Sequence, residues 1–470
     1  MAQTFTAEDF YELGVACLGG SRWNEADEAF QKAILRKPNF PTAYNNRGNV
    51  LQCKGMHFDA VLNYNTAITL DPNSAELYNN RGAALVAMDD YNGGLASYMQ
   101  SVALRPKFPE AWTNIGNCLK LLGRIPDARE SYLKAIDANS AYVDAHLNLS
   151  FVELEQGNYD IGWEEYEWRW KCGQIFPRNL PFPTWNGEDL TGKSILLYGE
   201  QGLGDALQFI RYATIVKELG AREVIVEVRA PLARIARTVP GVDRVVVHGE
   251  DVTRDPIDYT CALMGCPRIL KTSVETIPNK IPYFSYPETA ASYWREKLFE
   301  LPGIKVGIVW AGSSRPMQPA ANAVDKRRST HLMQWAPLGK VSGVTFISIQ
   351  KDHPAEQALS PPAGMTIANV SDKLDDFTDT AALVSQLDLV IAVDTSIIHL
   401  VGGLGKPLWL LSRYDNCWRW LGRRKDSPWY PTLRQFIQPN PGDWPPVFEE
   451  VAEALKQFVA EKTQIQQVAA

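Results

Sequence analysis

Residues 5–170 repeat themselves every 34 positions. Gly14, Gly48, Gly82 and Gly116 hold one phase of that period, and Ser150 takes the next place. Phe10, Tyr44, Tyr78, Trp112 and His146 hold a second phase. Ala26, Ala60, Gly94, Ala128 and Gly162 hold a third, and Phe30, Tyr64, Tyr98, Tyr132 and Tyr166 a fourth. Pro38, Pro72 and Pro106 close three of the units. Small residues let two helices approach closely, aromatic rings fill the space between them, and proline, which lacks an N–H, stops the second helix. The period predicts five helix pairs, each stacked on the next because so short a unit cannot bury its apolar face alone.

This pattern resembles the tetratricopeptide repeat, which implies an all-α superhelix with a concave inner groove over residues 1–171. A further ladder runs through it. Asn46, Asn80, Asn114 and Asn148 recur at the same period, two residues before the small packing residue, and Glu12 holds the place in the first unit. A side-chain amide offers both a donor and an acceptor, so a row of them can pair with an extended peptide backbone whatever its sequence. The other reading of the ladder is local: each Asn bonds to a neighbouring helix. The arrangement is similar to the asparagine ladder in the superhelix of O-linked N-acetylglucosamine transferase, and that resemblance implies an acceptor-binding role for these four residues.

In the fifth unit, Trp163, Tyr166 and Trp170 fall on one helical face. A terminal repeat must either cap its stack or dock on the next domain, and aromatics this dense predict docking. Pro177, Pro181, Pro183 and Trp185 mark residues 172–192 as an irregular linker.

From Lys193 the pattern changes to short apolar runs alternating with helices, which is how parallel strands covered on both faces read. Strands are expected at 194–198, 223–228 and 244–247, with one helix over 206–219, in a first Rossmann-like domain at 193–300. A second set begins at Lys305 and predicts strands at 344–349, 365–369, 387–393 and 408–411, with a final helix at 446–462, in a second such domain at 301–470. Two halves of this kind place their strand-end loops across a shared cleft.

Two strand-end stretches stand out. Gly199-Glu-Gln-Gly202-Leu-Gly204-Asp205 is a tight glycine loop that presents Asp205 at a helix start. Its spacing misses the dinucleotide-binding fingerprint. Asp205 reads either as a plain helix cap or as a general base for an incoming hydroxyl. Asp394-Thr395-Ser396 opens a short helix that closes at Gly402-Gly403, and a helix start at a strand's carboxyl end suits an anion such as a phosphate. His399, on that helix, reads either as a ligand contact or as a structural histidine.

The net charge of −7 gives no basic excess that would point to nucleic acid. Met1 to Asp9 has no basic region followed by an apolar core, and no apolar stretch is long enough to span a bilayer. The seven cysteines are scattered without zinc-knuckle spacing, so reduced thiols and a cytoplasmic location are expected.

Taken jointly, the motifs GWEEYEWRW, GEQGLGDALQFIRY, VWAGSS followed by DKRRS, and VDTSIIHLVGGLGKPLWLL followed by WRW and SPWYP resemble those of bacterial tetratricopeptide-linked glycosyltransferases related to the heptosyltransferases of glycosyltransferase family 9. The resemblance implies a multidomain chain in which the all-α superhelix precedes an α/β GT-B fold of two Rossmann-like domains. It further implies inverting transfer of a sugar from a nucleotide-diphospho-sugar to an acceptor hydroxyl, with neither a metal nor a cofactor. By position it gives Asp205 the base role and Ser313, Arg328, Gln350, Asp394, Thr395, Ser396 and His399 the donor. The acceptor is expected on a protein recruited by the repeats, with a glycan or lipid carrier, and self-association through the repeats, left open. Two rivals also stay open: a non-catalytic repeat adaptor carrying a degenerate sugar-nucleotide domain, and a sugar-nucleotide epimerase.

Overall fold

The computed structural model describes residues 5–315 and 317–469. The chain divides into two compact units, Met1–Val152 and Glu153–Ala470.

The first unit is built from antiparallel helix pairs. Ala7–Gly19 pairs with Trp23–Arg36, Pro41–Cys53 with His57–Leu70, Ala75–Ala87 with Tyr91–Leu104, and Pro109–Leu121 with Ile125–Ala138; Val143–Glu155 comes next. The periodic glycine is what lets each pair close. A β-carbon at Gly48 would lie 2.6 Å from Cε1 of Tyr64, and one at Gly116 would lie 2.4 Å from Cε1 of Tyr132. Each glycine thus seats the ring sixteen residues later, and those rings are buried.

The second unit opens with helix Tyr159–Tyr166 and a 3-10 turn, Glu167–Lys171. Two sheets come after it. The first holds β1 (Ser194–Tyr198), β2 (Glu223–Val228), β3 (Arg244–Val247) and β4 (Tyr259–Ala262) in the order β3-β2-β1-β4. The second holds β5 (Ile304–Val309), β6 (Val344–Ser348), β7 (Ile367–Asn369), β8 (Leu389–Val393), β9 (Leu408–Ser412) and β10 (Leu433–Ile437) in the order β10-β9-β8-β5-β6-β7. Every pairing is parallel. In each sheet the strand-end loops that carry the motifs therefore emerge at one edge. β1, β8 and β9 are buried throughout, as their unbroken apolar runs predict.

The α/β region departs from the sequence expectations in one helix and two strands. The helix expected over 206–219 is two helices, Leu203–Phe209 and Tyr212–Glu218. Between them Arg211 turns inward and its Nε donates to the carbonyl of Gln208 at 2.8 Å, occupying an acceptor near the break. β4 and β10 were not expected, since β4 is a four-residue run and β10 interrupts its apolar pattern with Arg434 and Gln435. Residues 172–192 are irregular but held down: Trp185 is buried, its backbone N–H donates to Thr260 at 2.8 Å, and Leu180 and Phe182 pack on the core of the first sheet.

Trp163 makes edge contacts with Phe209 at 6.0 Å and Trp418 at 5.4 Å, so the aromatic face of helix Tyr159–Tyr166 is seated on both halves of the α/β region. Arg211 joins the same halves. Its guanidinium donates to the carbonyls of Pro278 and Trp429 and to the hydroxyl of Tyr283, each at 2.9 Å, and it lies between the rings of Tyr283 and Tyr430. Among the described residues no helix is long and apolar enough to cross a membrane.

Candidate functional site

The glycine loop after β1 lies directly on the helix that comes after β8. A β-carbon at Gly204 would stand 3.0 Å from Cδ2 of His399 and 3.4 Å from Cα of Ser396. A side chain there would crowd the histidine ring, and glycine permits the approach without displacing it. It brings the loop that carries Asp205 against the Asp394–Ser396 turn.

Asp205 is the third residue of helix Leu203–Phe209, and its Oδ2 accepts from the N–H of Gly202 at 2.9 Å. Its Oδ1 accepts from Nη2 of Arg419. Arg419 also donates to Gln208 Oε1 at 2.7 Å and stacks over Trp418. Burial works against the charge of Arg419 and is the largest influence on it, but Asp205, Cys417 and Tyr166 together overcome it and raise the guanidinium above its ordinary range. Each oxygen of Asp205 accepts one bond and keeps further acceptor capacity.

Asp394 comes directly after β8. Its carboxylate accepts from Trp420 Nε1 at 3.2 Å and its carbonyl from Arg328 Nη1 at 2.6 Å. Thr395 is the N-cap of helix Ser396–Gly403, but its side chain makes no capping bond, and its Oγ1 is buried with no hydrogen-bond partner. Nε of Arg328 is likewise buried without a partner. Arg328 lies 2.5 Å from Asp325, and Arg315 donates to the same carboxylate at 2.6 and 3.0 Å. Two guanidiniums thus share one buried carboxylate beside the turn, whose own Asp394 carboxylate balances the second of them. At the end of β5, a β-carbon at Gly312 would meet Arg328 Nη2 at 2.8 Å, so this loop too packs close against that arginine.

The remaining expected residues divide. His399 is buried; its Nδ1 bonds with the Tyr430 hydroxyl at 2.9 Å and its ring stacks on Trp420. Burial, and then the nearby Arg419 and Arg211, hold it well below the ordinary histidine range, so it is neutral at pH 7. Gln350 was expected close to the nucleotide, and its buried amide is instead consumed by the chain. Oε1 accepts from the N–H groups of Trp310 and Ala311, and Nε2 donates to the carbonyls of Ala311 and Lys351. It fixes the loop after β5 and has little left for a ligand. Ser313 lies on that loop, exposed, and donates to Asp352 at 2.6 Å.

The glycine loop also carries one member of a pair that sequence reasoning did not single out. Arg169 and Glu200 are both buried, 3.4 Å apart. Burial raises Glu200 to about 7, against the pull of Arg169 and helped by Asp205. Arg315 and Asp325 were also missed, because nothing in their spacing distinguishes them from a solvated helix end.

In the repeat unit the ladder asparagines are half-buried. Nδ2 of Asn46 donates to the Tyr11 hydroxyl, Asn80 to Asn45 Oδ1, Asn114 to Asn79 Oδ1, and Asn148 to the carbonyl of Asp144. Three of the four amide donors therefore tie one repeat to the one before it, which is the local reading. Among the described residues no donor reaches Oδ1 of Asn80 or Asn114.

Family models described as TPR repeat and tetratricopeptide repeat match residues 57–89, 79–143 and 122–160, so this part of the chain consists of tetratricopeptide repeats. Protein FlbA of Caulobacter vibrioides is 31% identical over 333 residues, 66% of this chain and 54% of its own length. The chain thus spans about half the length of that relative. Among solved structures, MamA 41-end from Desulfovibrio magneticus RS-1 is 21% identical, covering 36% of this chain and 94% of its own with a TM-score of 0.32. The structure reported as the functional characterization of Pseudomonas aeruginosa pilF is 17% identical, covering 45% and 85% with a TM-score of 0.36.

Proposed function

We propose that the chain is a glycosyltransferase of GT-B architecture that moves a sugar, with inversion, from a nucleotide-diphospho-sugar to an acceptor hydroxyl. The observation that supports this reading is the close seating of Gly204 on Ser396 and His399, which sets the loop of Asp205 against a helix start; we read the two as walls of one crevice. The acceptor hydroxyl gives its proton to Asp205 as its oxygen attacks the anomeric carbon. The diphosphate departs toward the N–H groups at the start of helix Ser396–Gly403, where Arg328 and Arg315 stabilise the developing charge. Thr395, with its unpartnered hydroxyl, donates to a phosphate oxygen. The tetratricopeptide repeats, modules that suit protein partners, recruit a polypeptide acceptor.

The full chain incubated with a panel of nucleotide-diphospho-sugars and a cell extract as acceptor source should release one nucleoside diphosphate and add the mass of one sugar to a protein. Failure with every donor would remove the reading. A second reading, the non-catalytic adaptor, draws on the ion pair between Asp205 and Arg419, which already engages the proposed base. Calorimetry against the same nucleotides separates the two, because a pure adaptor binds none.

A further inference from the structure

One position in the repeat unit changes its chemistry from repeat to repeat. At the junction of the first and second repeats, Arg47 donates from Nε to Asp27 at 2.9 Å, and Lys54 reaches the same carboxylate at 2.9 Å. One period later the arginine persists as Arg81, while the aspartate has become Val61 and the lysine Met88. One period later again both members are apolar: Ile115 and Leu95 lie together in a core cluster. The first junction therefore joins charge to charge and the third joins apolar to apolar, whereas the second sets a cation against a valine; at the fourth, Arg129 and Leu149 hold the two places.

Arg81 has no carboxylate partner among the described residues. Its Nε donates to the Ser97 hydroxyl at 3.0 Å, its Nη1 to Asn65 Oδ1 at 3.1 Å, and its guanidinium lies over the Tyr78 ring. All of these partners are neutral. Burial pulls the guanidinium below its ordinary range, and Tyr78 offsets this only in part. The cation also faces open space. Val61, Asn65, Tyr78, Arg81, Ser97 and Gln100 line a groove of about 520 Å³ within the unit. On the same helix as Val61 and Asn65, Phe58 and Leu62 are 63% and 49% exposed; they lie outside the groove's lining, three residues before Val61 and Asn65 respectively.

We propose that this groove is a docking site for a protein segment that inserts an Asp or Glu side chain against Arg81 and lays an apolar residue on Phe58 and Leu62. The charge of the occupant follows from the missing partner: the incoming carboxylate takes the place that Asp27 fills for Arg47 one repeat earlier. A guanidinium and a carboxylate meet in a two-pronged geometry, which favours a carboxylate over a neutral amide. This site is distinct from the asparagine ladder and from the crevice of the α/β region, and it does not depend on the transfer reaction.

The comparison between repeats supplies the test. V61D restores an acid at the place Asp27 occupies, so it should neutralise Arg81 and close the groove to acidic segments. R81Q keeps donors toward Ser97 and Asn65 and removes the charge. A display library of random twelve-residue peptides is selected on the full chain, and winners are measured by fluorescence anisotropy. The expected winners carry Asp or Glu, lose about tenfold or more in affinity for both V61D and R81Q, lose as much when their own acid is changed to the amide, and weaken as salt rises. Thermal melting of each variant shows whether its fold is kept; if V61D melts low, R81Q alone decides. Peptides that bind all three chains equally would overturn the proposal. So would winners indifferent to loss of their carboxylate, or a selection with no winner sensitive to Arg81. If inorganic phosphate at millimolar concentration protects the wild type against melting but not R81Q, while no acidic peptide is selected, the groove takes phosphate and the proposal fails.

Discussion

Gly204 and His399 come from opposite halves of the α/β region, and a β-carbon on the first would stand 3.0 Å from Cδ2 of the second. His399 cannot retreat, because it is held by Tyr430 and stacked on Trp420. G204A should therefore push the glycine loop, with Asp205, away from the start of helix Ser396–Gly403. The expected result is a loss of at least about tenfold in kcat/KM for sugar transfer, together with destabilisation of about 1–3 kcal/mol in urea unfolding, the usual cost of overpacking. Wild-type turnover in G204A would mean that the contact does not position the loop.

Asp205, the proposed base, is bonded to Arg419, a cation on the facing half. D205N keeps the shape and most of the hydrogen bonding but removes the charge. Turnover should fall by about 10²- to 10⁴-fold, the usual contribution of a general base, while binding of the product nucleoside diphosphate stays within about twofold. Isothermal titration and initial rates on one preparation check both halves of the statement. Full turnover would exclude Asp205 as the base.

The two motif-bearing loops, the repeat period and the central strands are legible in the sequence because each rests on local chemistry: a fixed glycine spacing, a 34-residue period, an unbroken apolar run. Arg169 and Glu200 are not, since charged residues in sequence read as surface and only the fold shows that both are buried. Gln350 illustrates the converse. Its place at a strand end suggests ligand contact, yet the demand of Trp310 and Ala311 for a hydrogen-bond partner takes its whole amide. The ladder asparagines are intermediate: the period locates them, but only packing shows that their donors bind the preceding repeat.

Glu200 gives the chain a pH dependence. Its carboxyl is raised from 4.5 to about 7 because burial disfavours the charged form. The native state therefore holds a proton that the unfolded chain releases, so stability falls as pH rises from about 4.5 to about 7 and is level above that. The contribution is on the order of 3 kcal/mol at full ionisation. E200Q cannot titrate and should flatten this part of the profile. Melting temperatures of both proteins at half-unit steps between pH 5 and pH 8 check it; parallel curves would assign the slope elsewhere.

Trp163 is 2% exposed and contacts Tyr159, Tyr166, Phe209 and Trp418 edge-on. W163A removes a large buried ring from between the halves. Destabilisation of about 3–5 kcal/mol is expected, with W163F recovering about half. Denaturant midpoints give the comparison, and a loss below about 1 kcal/mol would show that the aromatic face is not a principal dock.

Thr395 separates a ligand site from a structural turn. A buried hydroxyl without a partner costs about 1–3 kcal/mol relative to one that is bonded, and nothing in the fold of helix Ser396–Gly403 uses Oγ1 of Thr395. T395V keeps the branched shape and removes the oxygen. If the hydroxyl serves the protein alone, the valine should leave nucleotide binding unchanged. If it waits for a phosphate, stability should hold or rise by up to about 1 kcal/mol while affinity for the nucleoside diphosphate falls about tenfold, and T395S, which restores the oxygen, should recover most of that loss. The opposite signs of the two effects cannot come from misfolding, which would lower both. Unfolding curves and calorimetric titrations of the three proteins, at one pH and one salt concentration, decide between them.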